Sequence, residues 1–222
     1  MMDYYQEFMT YFSKEDKENS VKYVMNLLSR GKVDIVTLYD EILRPALYDV
    51  ANHQKKQTIM ISQEHMRTAI VRTIIECCYP YVIEERDRKI ESLRSEKVLI
   101  FCPAEEYHEV GPRMVEDFFT LNGYHAFFMG GNTPREDLLL LLEEWRPEYL
   151  AMSVSNYYNL LAAERTIKDI RNSLSYRTIV ILGGYALQGN QDLQEKIEAD
   201  LYLQSYRDIV RLGRGEFDEV SS

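Results

Sequence analysis

The sequence predicts an α/β protein in which an N-terminal helical bundle precedes a doubly wound parallel sheet of five strands. Two observations lead to this expectation. Over about the first ninety residues, apolar side chains recur at helical spacing, roughly every 3.6 residues. From Lys97 onward, short apolar runs typical of buried parallel strands alternate with helical stretches. The change of period predicts a helical domain over residues 1–92 and an α/β domain over residues 93–222.

Helical spacing covers three segments of the first domain. Asn19–Leu28 places its apolar residues on one face, as does Asp34–Ala51. Pro45 lies inside the second segment and predicts a kink or a break there. A third helix is expected to begin near Ser62, where polar residues typical of a helix N-terminus precede the apolar pattern, and to run toward Pro80.

In the second domain, strand and helix signals alternate. The apolar runs that predict strands are Val98–Cys102, Ala126–Met129, Tyr149–Ser153, Thr178–Leu182 and Ala199–Tyr202. The helical stretches between them are Arg113–Asn122, Pro134–Trp145, Leu160–Leu174 and Gln191–Ile197. Ligands of such sheets bind outside the carboxyl ends of the strands, so functional residues are expected in the loops that follow the strands.

Composition excludes several classes of function. The net charge of −10 argues against direct nucleic-acid binding, which depends on Lys and Arg. No apolar stretch approaches the ~20 residues that span a bilayer, and the first residues lack the pattern of a secretory signal, so we expect a cytoplasmic protein without membrane contact. The three cysteines do not have the spacing of a zinc site or a disulfide framework.

A histidine follows the first predicted strand. The segment Glu106-Tyr107-His108-Glu109-Val110-Gly111 places an imidazole in a loop at the carboxyl edge, with a carboxylate two residues earlier. A neutral imidazole is a good ligand for a transition metal, and a carboxylate on its other ring nitrogen fixes the tautomer. On this segment alone, a solvated surface histidine is the simpler interpretation.

The downstream spacing favours the metal ligand. After Gly111, 41 residues precede Ser153-Val154-Ser155 at the end of the third strand, and 27 more precede Gly183-Gly184 after the fourth. In register, these motifs resemble the cobalamin-binding domain of methionine synthase, methyltransferase corrinoid proteins, base-off mutases and light-sensing regulators. That domain is Rossmann-like, or flavodoxin-like, and its pattern is D-x-H-x-x-G, then S-x-L, then G-G.

The resemblance implies a cofactor and roles for these residues. His108 would ligate cobalt in place of the cofactor's nucleotide base, with Glu106 behind it and Gly111 completing the motif. The displaced nucleotide tail would enter a slot formed by Ser153, Ser155, Gly183 and Gly184, because glycine lets a ligand pass against bare backbone. Glu106 replaces the usual Asp and Ser155 the usual Leu. The cofactor would be adenosylcobalamin or methylcobalamin.

The helical domain resembles the cap that covers the upper face of the corrin in these proteins. Glu106, together with a Gly130–Pro134 turn, is closer to the photoreceptor regulators than to the methyltransferase corrinoid proteins. Glu64-His65 matches a Glu-His pair that faces the upper ligand in those photoreceptors, although an ordinary helix N-terminus would look the same. Gln54 stands where the photoreceptors have tryptophan, so the resemblance leaves open whether this protein senses light, and the neighbouring His53 has no assigned role.

Three functions remain open after this comparison. The first is a stand-alone sensor that signals the state of its cofactor to a regulatory partner protein, with or without formation of a homo-oligomer. The second is a corrinoid shuttle protein that carries a methyl group between separate methyltransferases, with no enzyme activity of its own. The third is a sensor that holds haem on the same fold, with His108 as an axial ligand.

Overall fold

A computed structural model describes residues 4–55, 60–188 and 197–217, apart from the side chains of residues 53–55. The chain divides into two compact units, Met1–Lys89 and Ile90–Ser222, here called the helical unit and the sheet unit. Within the described ranges, no helix is long and apolar enough to cross a membrane.

The described part of the helical unit is built from α-helices and one π-helical segment. They are α1 (Tyr4–Phe12), α2 (Lys17–Ser29), α3 (Ile35–Thr37), the π-helical segment Leu38–Leu43, α4 (Arg44–Lys55) and α5 (Ile61–Lys89). Asp16 begins α2 by accepting a hydrogen bond from the backbone N–H of Asn19 at 3.1 Å. The core of the unit includes Phe8, Phe12, Val24, Ile35, Leu38, Ile74 and Ile75. Burial of this apolar surface stabilises the bundle.

The segment around Pro45 stays helical, but the residues just before the proline form a π-helix instead of an α-helix. The N–H of Arg44 donates to the carbonyl of Tyr39, five residues back, so the chain is π-helical up to the residue preceding the proline. Proline has no N–H to donate, which makes this a suitable place for the wider turn to revert to α-helix.

The third predicted helix extends beyond Pro80 into the charged run Glu84–Lys97, which the sequence indicates as a helix end and linker. Helix α5 continues through Pro80 and ends at Lys89. Beyond the proline, Val82 and Glu85 are buried, and Glu85 accepts a hydrogen bond from the backbone N–H of Ile35 at 3.0 Å. An interior proline costs about 3 kcal/mol, and the contacts made by the last turns offset that cost.

The sheet unit contains five parallel strands, β1 (Lys97–Phe101), β2 (His125–Phe128), β3 (Tyr149–Ser153), β4 (Ile179–Gly183) and β5 (Leu201–Tyr202), in the order β2-β1-β3-β4-β5. Its helices are α6 (Val110–Leu121), α7 (Arg135–Trp145), α8 (Leu160–Ser173) and α9 (Tyr206–Gly213), with 3-10 turns at Tyr157–Asn159 and Tyr185–Leu187. This confirms the predicted fold class. Most of the predicted helix Gln191–Ile197 lies outside the described residues.

Alternation along the strands sends side chains to both faces of the sheet. Leu99 and Phe101 of β1 belong to the core cluster that contains Leu138 of α7 and Ile167 of α8. On the opposite face, Val98 and Ile100 are equally buried. Because β1 lies between β2 and β3, the connections leaving β1 and β3 diverge, and ligands of doubly wound sheets bind at such a switch point.

Candidate functional site

Hydrogen bonds join the loops that follow β1, β2, β3 and β4 at the carboxyl edge of the sheet. The N–H of Asn132, after β2, donates to the carbonyl of Glu106, after β1, at 2.7 Å. The loop after β3 also reaches Glu106, through the N–H of Ser155 at 2.9 Å. The N–H of Ala186, after β4, donates to the carbonyl of Val154, after β3, at 3.1 Å. The four loops therefore form one continuous rim, with Glu106 at its centre.

Both carboxylate oxygens of Glu106 are engaged. Oε1 accepts from the backbone N–H of His108 at 3.1 Å and lies 2.5 Å from His108 Nδ1. Oε2 accepts from Ser155 N at 2.9 Å, Asn156 N at 2.9 Å and Asn159 Nδ2 at 3.2 Å. The residue is fully buried. Glu106 thus fixes the His108 loop to the loop that follows β3.

These contacts set the charge of the pair. Burial raises the pKa of the Glu106 carboxyl, but the hydrogen bonds from His108, Asn156 and Asn159 outweigh burial and lower the pKa to about 2. An ionised carboxylate only accepts, so the proton of a neutral His108 ring lies on Nδ1 and the lone pair on Nε2. The His108 side chain is 67% exposed. This is the state in which an imidazole ligates a metal.

The loop after β2 supports the His108 loop from one side. Asn132 Oδ1 accepts from the N–H of Glu105 at 2.8 Å, in addition to the contact with Glu106. Asn132 and Glu105 both have positive φ, 49° and 68°. A side chain at Gly131 would approach the carbonyl oxygen of Glu106 to 3.3 Å. The Gly130–Pro134 turn therefore braces the backbone that carries His108.

Cys102 lies beneath the same loop and is a poor candidate for chemistry. It is buried, and its Sγ lies 3.7 Å from the carbonyl oxygen of His108. Burial, with the nearby carboxylates of Glu106 and Glu109, raises the pKa of the thiol far above its ordinary value. The neutral thiol packs against the loop and is not a thiolate ligand.

Ser153, Gly183 and Gly184 lie together at the carboxyl ends of β3 and β4, where Ser153 pairs with Gly183 in the sheet register. Gly184 has a φ of 110°, and a Cβ there would overlap the carbonyl oxygen of Val154. A Cβ at Gly183 would lie 2.7 Å from the carbonyl oxygen of Leu203. Close approach of neighbouring backbone is therefore a second reason for glycine at both positions.

Gly111 and Ser155 have less specific surroundings. Gly111 is the second residue of α6, and nothing in the described residues lies within 4 Å of a Cβ built on it. Ser155 takes part in the site through its backbone N–H, which donates to Glu106. The roles that the resemblance gives to these two residues stay predictions.

Glu64 and His65 belong to the helical unit and lie in the first turn of α5. His65 Nδ1 is 2.8 Å from Glu64 Oε2, and Thr68 Oγ1 donates to Glu64 Oε1 at 3.2 Å. The neighbouring apolar residues Met60, Ile61 and Met66 are exposed. The pair therefore lies at the start of a helix, and the apolar side chains around it are exposed within the described part of the unit.

Sequence reasoning missed Asn156 and Asn159. Asn159 Nδ2 donates to Glu106 and also to the carbonyl of Glu105 at 3.2 Å. Asn156 Oδ1 accepts from the N–H of Tyr158 at 3.1 Å, as is typical of Asn at the start of a turn. Two asparagines directly after a predicted strand were a signal for a structured loop at the carboxyl edge.

The donor set fits a metal that brings its own macrocycle. No group of three or more His, Cys, Asp or Glu that could hold a metal ion occurs in the ranges that the structure describes. His108 thus offers a single nitrogen, whereas bare transition metals in proteins usually take three or four protein ligands. A corrinoid or a haem would supply the other ligands from its own macrocycle.

Known proteins match both the sequence and the fold. The chain is 24% identical over 164 residues to the HTH-type transcriptional repressor CarH of Myxococcus xanthus, a match that covers 74% of this chain and 52% of the repressor. The chain therefore spans about half the length of that relative. It is 23% identical over 198 residues to trimethylamine corrinoid protein 1 of Methanosarcina acetivorans, which covers 88% of each chain.

The monomethylamine corrinoid protein of Methanosarcina barkeri has the same fold, with a TM-score of 0.81, 13% identity and coverage of 96% of this chain and 98% of that one. The family model described as the B12 binding domain matches residues 96–209, which include β1 to β5 and all the candidate residues of the sheet unit. The chain therefore belongs to the B12-binding domain family and is a corrinoid-binding protein.

Proposed function

We propose that this protein binds a cobalamin and that His108 is the residue that would ligate its cobalt. The observation that carries the proposal is the Glu106 network, which holds Nδ1 of an exposed imidazole through an ionised, fully buried carboxylate. Such a carboxylate raises the basicity of the opposite nitrogen and fixes the direction in which it points. Family membership supports a corrinoid over haem as the macrocycle.

Different residues of the rim would hold different parts of the cofactor. Glu106 keeps the His108 ring in one orientation and one tautomer, and its own position is set by donors from the loop after β3. Ser153, Gly183 and Gly184 would line the path of the nucleotide tail. A bound cobalamin would supply a cobalt–carbon bond that can be made and broken, and His108 would hold the cobalt.

For the biological role, we propose a sensor that reports its cofactor state to a partner protein. Three features support this: Glu106 in the E-x-H-x-x-G motif, the Asn132 turn bonded to Glu105 and Glu106, and the Glu64-His65 pair at the exposed start of α5. Similarity to the CarH repressor agrees with it. A ligand-dependent difference in affinity for the partner is sufficient for signalling.

A methyl-carrying corrinoid protein is the second candidate. It is favoured by the extent of the match with the trimethylamine corrinoid protein, which covers 88% of both chains, whereas the match with CarH covers about half of the repressor. In this role the protein would dock with methyltransferases, and the residues that hold the corrinoid would be the same.

Absorption spectra test the shared part of both candidates. The protein is loaded in the dark with hydroxocobalamin, freed of excess ligand, and compared with His108→Ala and with His125→Ala as a matched control. His125 is an exposed histidine at the start of β2. We expect a base-off, histidine-ligated spectrum in the wild type and in the control, and its loss in His108→Ala. Failure of the wild type to retain any corrinoid would contradict the proposal.

Separate loading with adenosylcobalamin and methylcobalamin distinguishes the two roles. A sensor of adenosylcobalamin should prefer the adenosyl form and change its spectrum or its oligomeric state on illumination, measured by size-exclusion chromatography with light scattering. Equal retention of both forms, without a change of assembly, would favour methyl transport.

A further inference from the structure

Gln204 follows β5 and has an unsatisfied polar group. Its carboxamide nitrogen is buried and has no hydrogen-bond partner in the part of the chain that the structure describes. A buried amide donor without a partner costs free energy, so such groups call for an explanation. We propose that Gln204 donates a hydrogen bond to the nucleotide tail of the bound corrinoid, an inference that rests on the proposed function.

The position of Gln204 supports this assignment. Ser153 pairs with Gly183 in the sheet register, and a Cβ on Gly183 would lie 2.7 Å from the carbonyl oxygen of Leu203. Ser153, Gly183 and Leu203 therefore form a row across the carboxyl edge of β3, β4 and β5. Gln204 is the next residue along the chain after Leu203, so it lies at the same edge of the sheet as Ser153 and Gly183, which are proposed to line the tail.

The local fold does not explain the side chain of Gln204. Its backbone N–H donates to Asp208 Oδ2 at 3.0 Å, and the same oxygen accepts from the N–H and the hydroxyl of Ser205. These bonds cap the start of α9 and involve only the backbone of Gln204. The helix start would be the same with an apolar side chain of equal length at this position.

The chemistry of the tail suits an amide donor. A nucleotide tail carries phosphodiester and ribose oxygens, which accept hydrogen bonds, and a neutral amide contacts them without the desolvation penalty of a buried charge. The tail would supply the acceptor that the described residues do not.

The matched test replaces Gln204 and compares two corrinoids, hydroxocobalamin and cobinamide, which lacks the nucleotide tail. Gln204→Met keeps the length of the side chain and removes its polar atoms. We expect this variant to bind hydroxocobalamin about fivefold to tenfold more weakly and cobinamide with unchanged affinity. Because the unsatisfied donor is removed, we also expect the ligand-free variant to melt at a higher temperature than the wild type.

Tyr176→Phe is the control. The Tyr176 hydroxyl is also buried without a described partner, but it lies before β4, at the opposite edge of the sheet. Its removal should leave both affinities unchanged. Gln204→Glu, which puts an acceptor in place of the donor, should weaken binding of hydroxocobalamin more than Gln204→Met and provides a second variant if the first does not fold.

Three results would overturn the inference. One is equal weakening of both corrinoids together with a lower melting temperature, which would make Gln204 a structural residue. Another is unchanged affinity for hydroxocobalamin in a variant whose histidine-ligated spectrum is intact, in which case the proposed function survives without this contact. Absence of any corrinoid binding by the wild type would overturn both.

Discussion

Two Glu–His pairs in the described part of the protein have similar geometry, but the fold holds their carboxylates very differently. In the sheet unit, Glu106 Oε1 lies 2.5 Å from His108 Nδ1, and in the helical unit Glu64 Oε2 lies 2.8 Å from His65 Nδ1. The histidine side chains are exposed to similar extents, 67% and 74%. Glu106 is fully buried and accepts hydrogen bonds from the loop after β3, whereas the Glu64 side chain is 25% exposed and accepts one from Thr68.

This contrast separates an arrangement built by the fold from one built by local sequence. Glu64, His65 and Thr68 share one helical turn, so the pair requires only that α5 forms. Glu106 and Asn159 are 53 residues apart, and their contact requires that β1 and β3 are adjacent. We therefore expect substitutions at the Glu64–His65 pair to have small effects on stability and those at the Glu106–His108 pair to have large ones.

Replacement of the two carboxylates gives the largest expected difference. Glu106→Gln should lower the free energy of unfolding by about 3 kcal/mol, because an amide cannot satisfy all of the buried N–H groups that now bond to the carboxylate. Glu64→Gln should change it by less than about 0.5 kcal/mol, as is usual for exposed pairs. Urea unfolding of both ligand-free variants measures this. Equal effects would remove the distinction drawn between the pairs.

The stability of the folded protein in acid should depend on the same carboxylate. The pKa of Glu106 is about 2 in the folded chain, against an ordinary value of 4.5. A lowered pKa stabilises the fold above the ordinary value, and that stability is lost as the pH falls from about 4.5 through about 2. The contribution at neutral pH is about 3 kcal/mol. Unfolding of the ligand-free protein between pH 5 and pH 2 should therefore show a steeper decline in the wild type than in Glu106→Gln.

Removal of a single donor to each carboxylate sharpens the comparison. Asn159→Ala should cost about 1–2 kcal/mol, because a buried side chain that bonds to both Glu105 and Glu106 is lost. Thr68→Ala is the matched change at the other pair and should cost less than about 0.5 kcal/mol. In a double-mutant cycle of Asn159→Ala with Glu106→Gln, the two changes in unfolding free energy should not add, since the two side chains are in contact.

The fold was predictable because each strand is a short apolar run and each connection has a helical pattern. The predicted and observed strand ends differ by at most two residues, as at Val98–Cys102 and Lys97–Phe101. The continuation of α5 beyond Pro80 has a tertiary cause: the hydrogen bond from Ile35 to Glu85 joins segments 50 residues apart, and no local pattern contains it.

Hydrogen-bonded pairs in the candidate site were predictable only where the two residues are close in sequence. Glu106 and His108 are two residues apart, so their pairing could be inferred from the motif alone. The donors Asn156 and Asn159, and the position of Gln204 beside Gly183, depend on strand order and register. Sequence patterns specify which segments form strands, but the order β2-β1-β3-β4-β5 decides which loops meet.

Replacement of His65 is expected to have the smallest effect on the fold and is the most informative about the helical unit. The side chain is 74% exposed, so His65→Ala should change the free energy of unfolding by less than about 0.5 kcal/mol. If the pair faces the upper ligand, His65→Ala should alter the affinity for adenosylcobalamin or its response to light, with the base-off, histidine-ligated spectrum retained. His125→Ala is again the control. Identical behaviour of His65→Ala and the control in the loaded protein would leave Glu64 and His65 as an ordinary helix start.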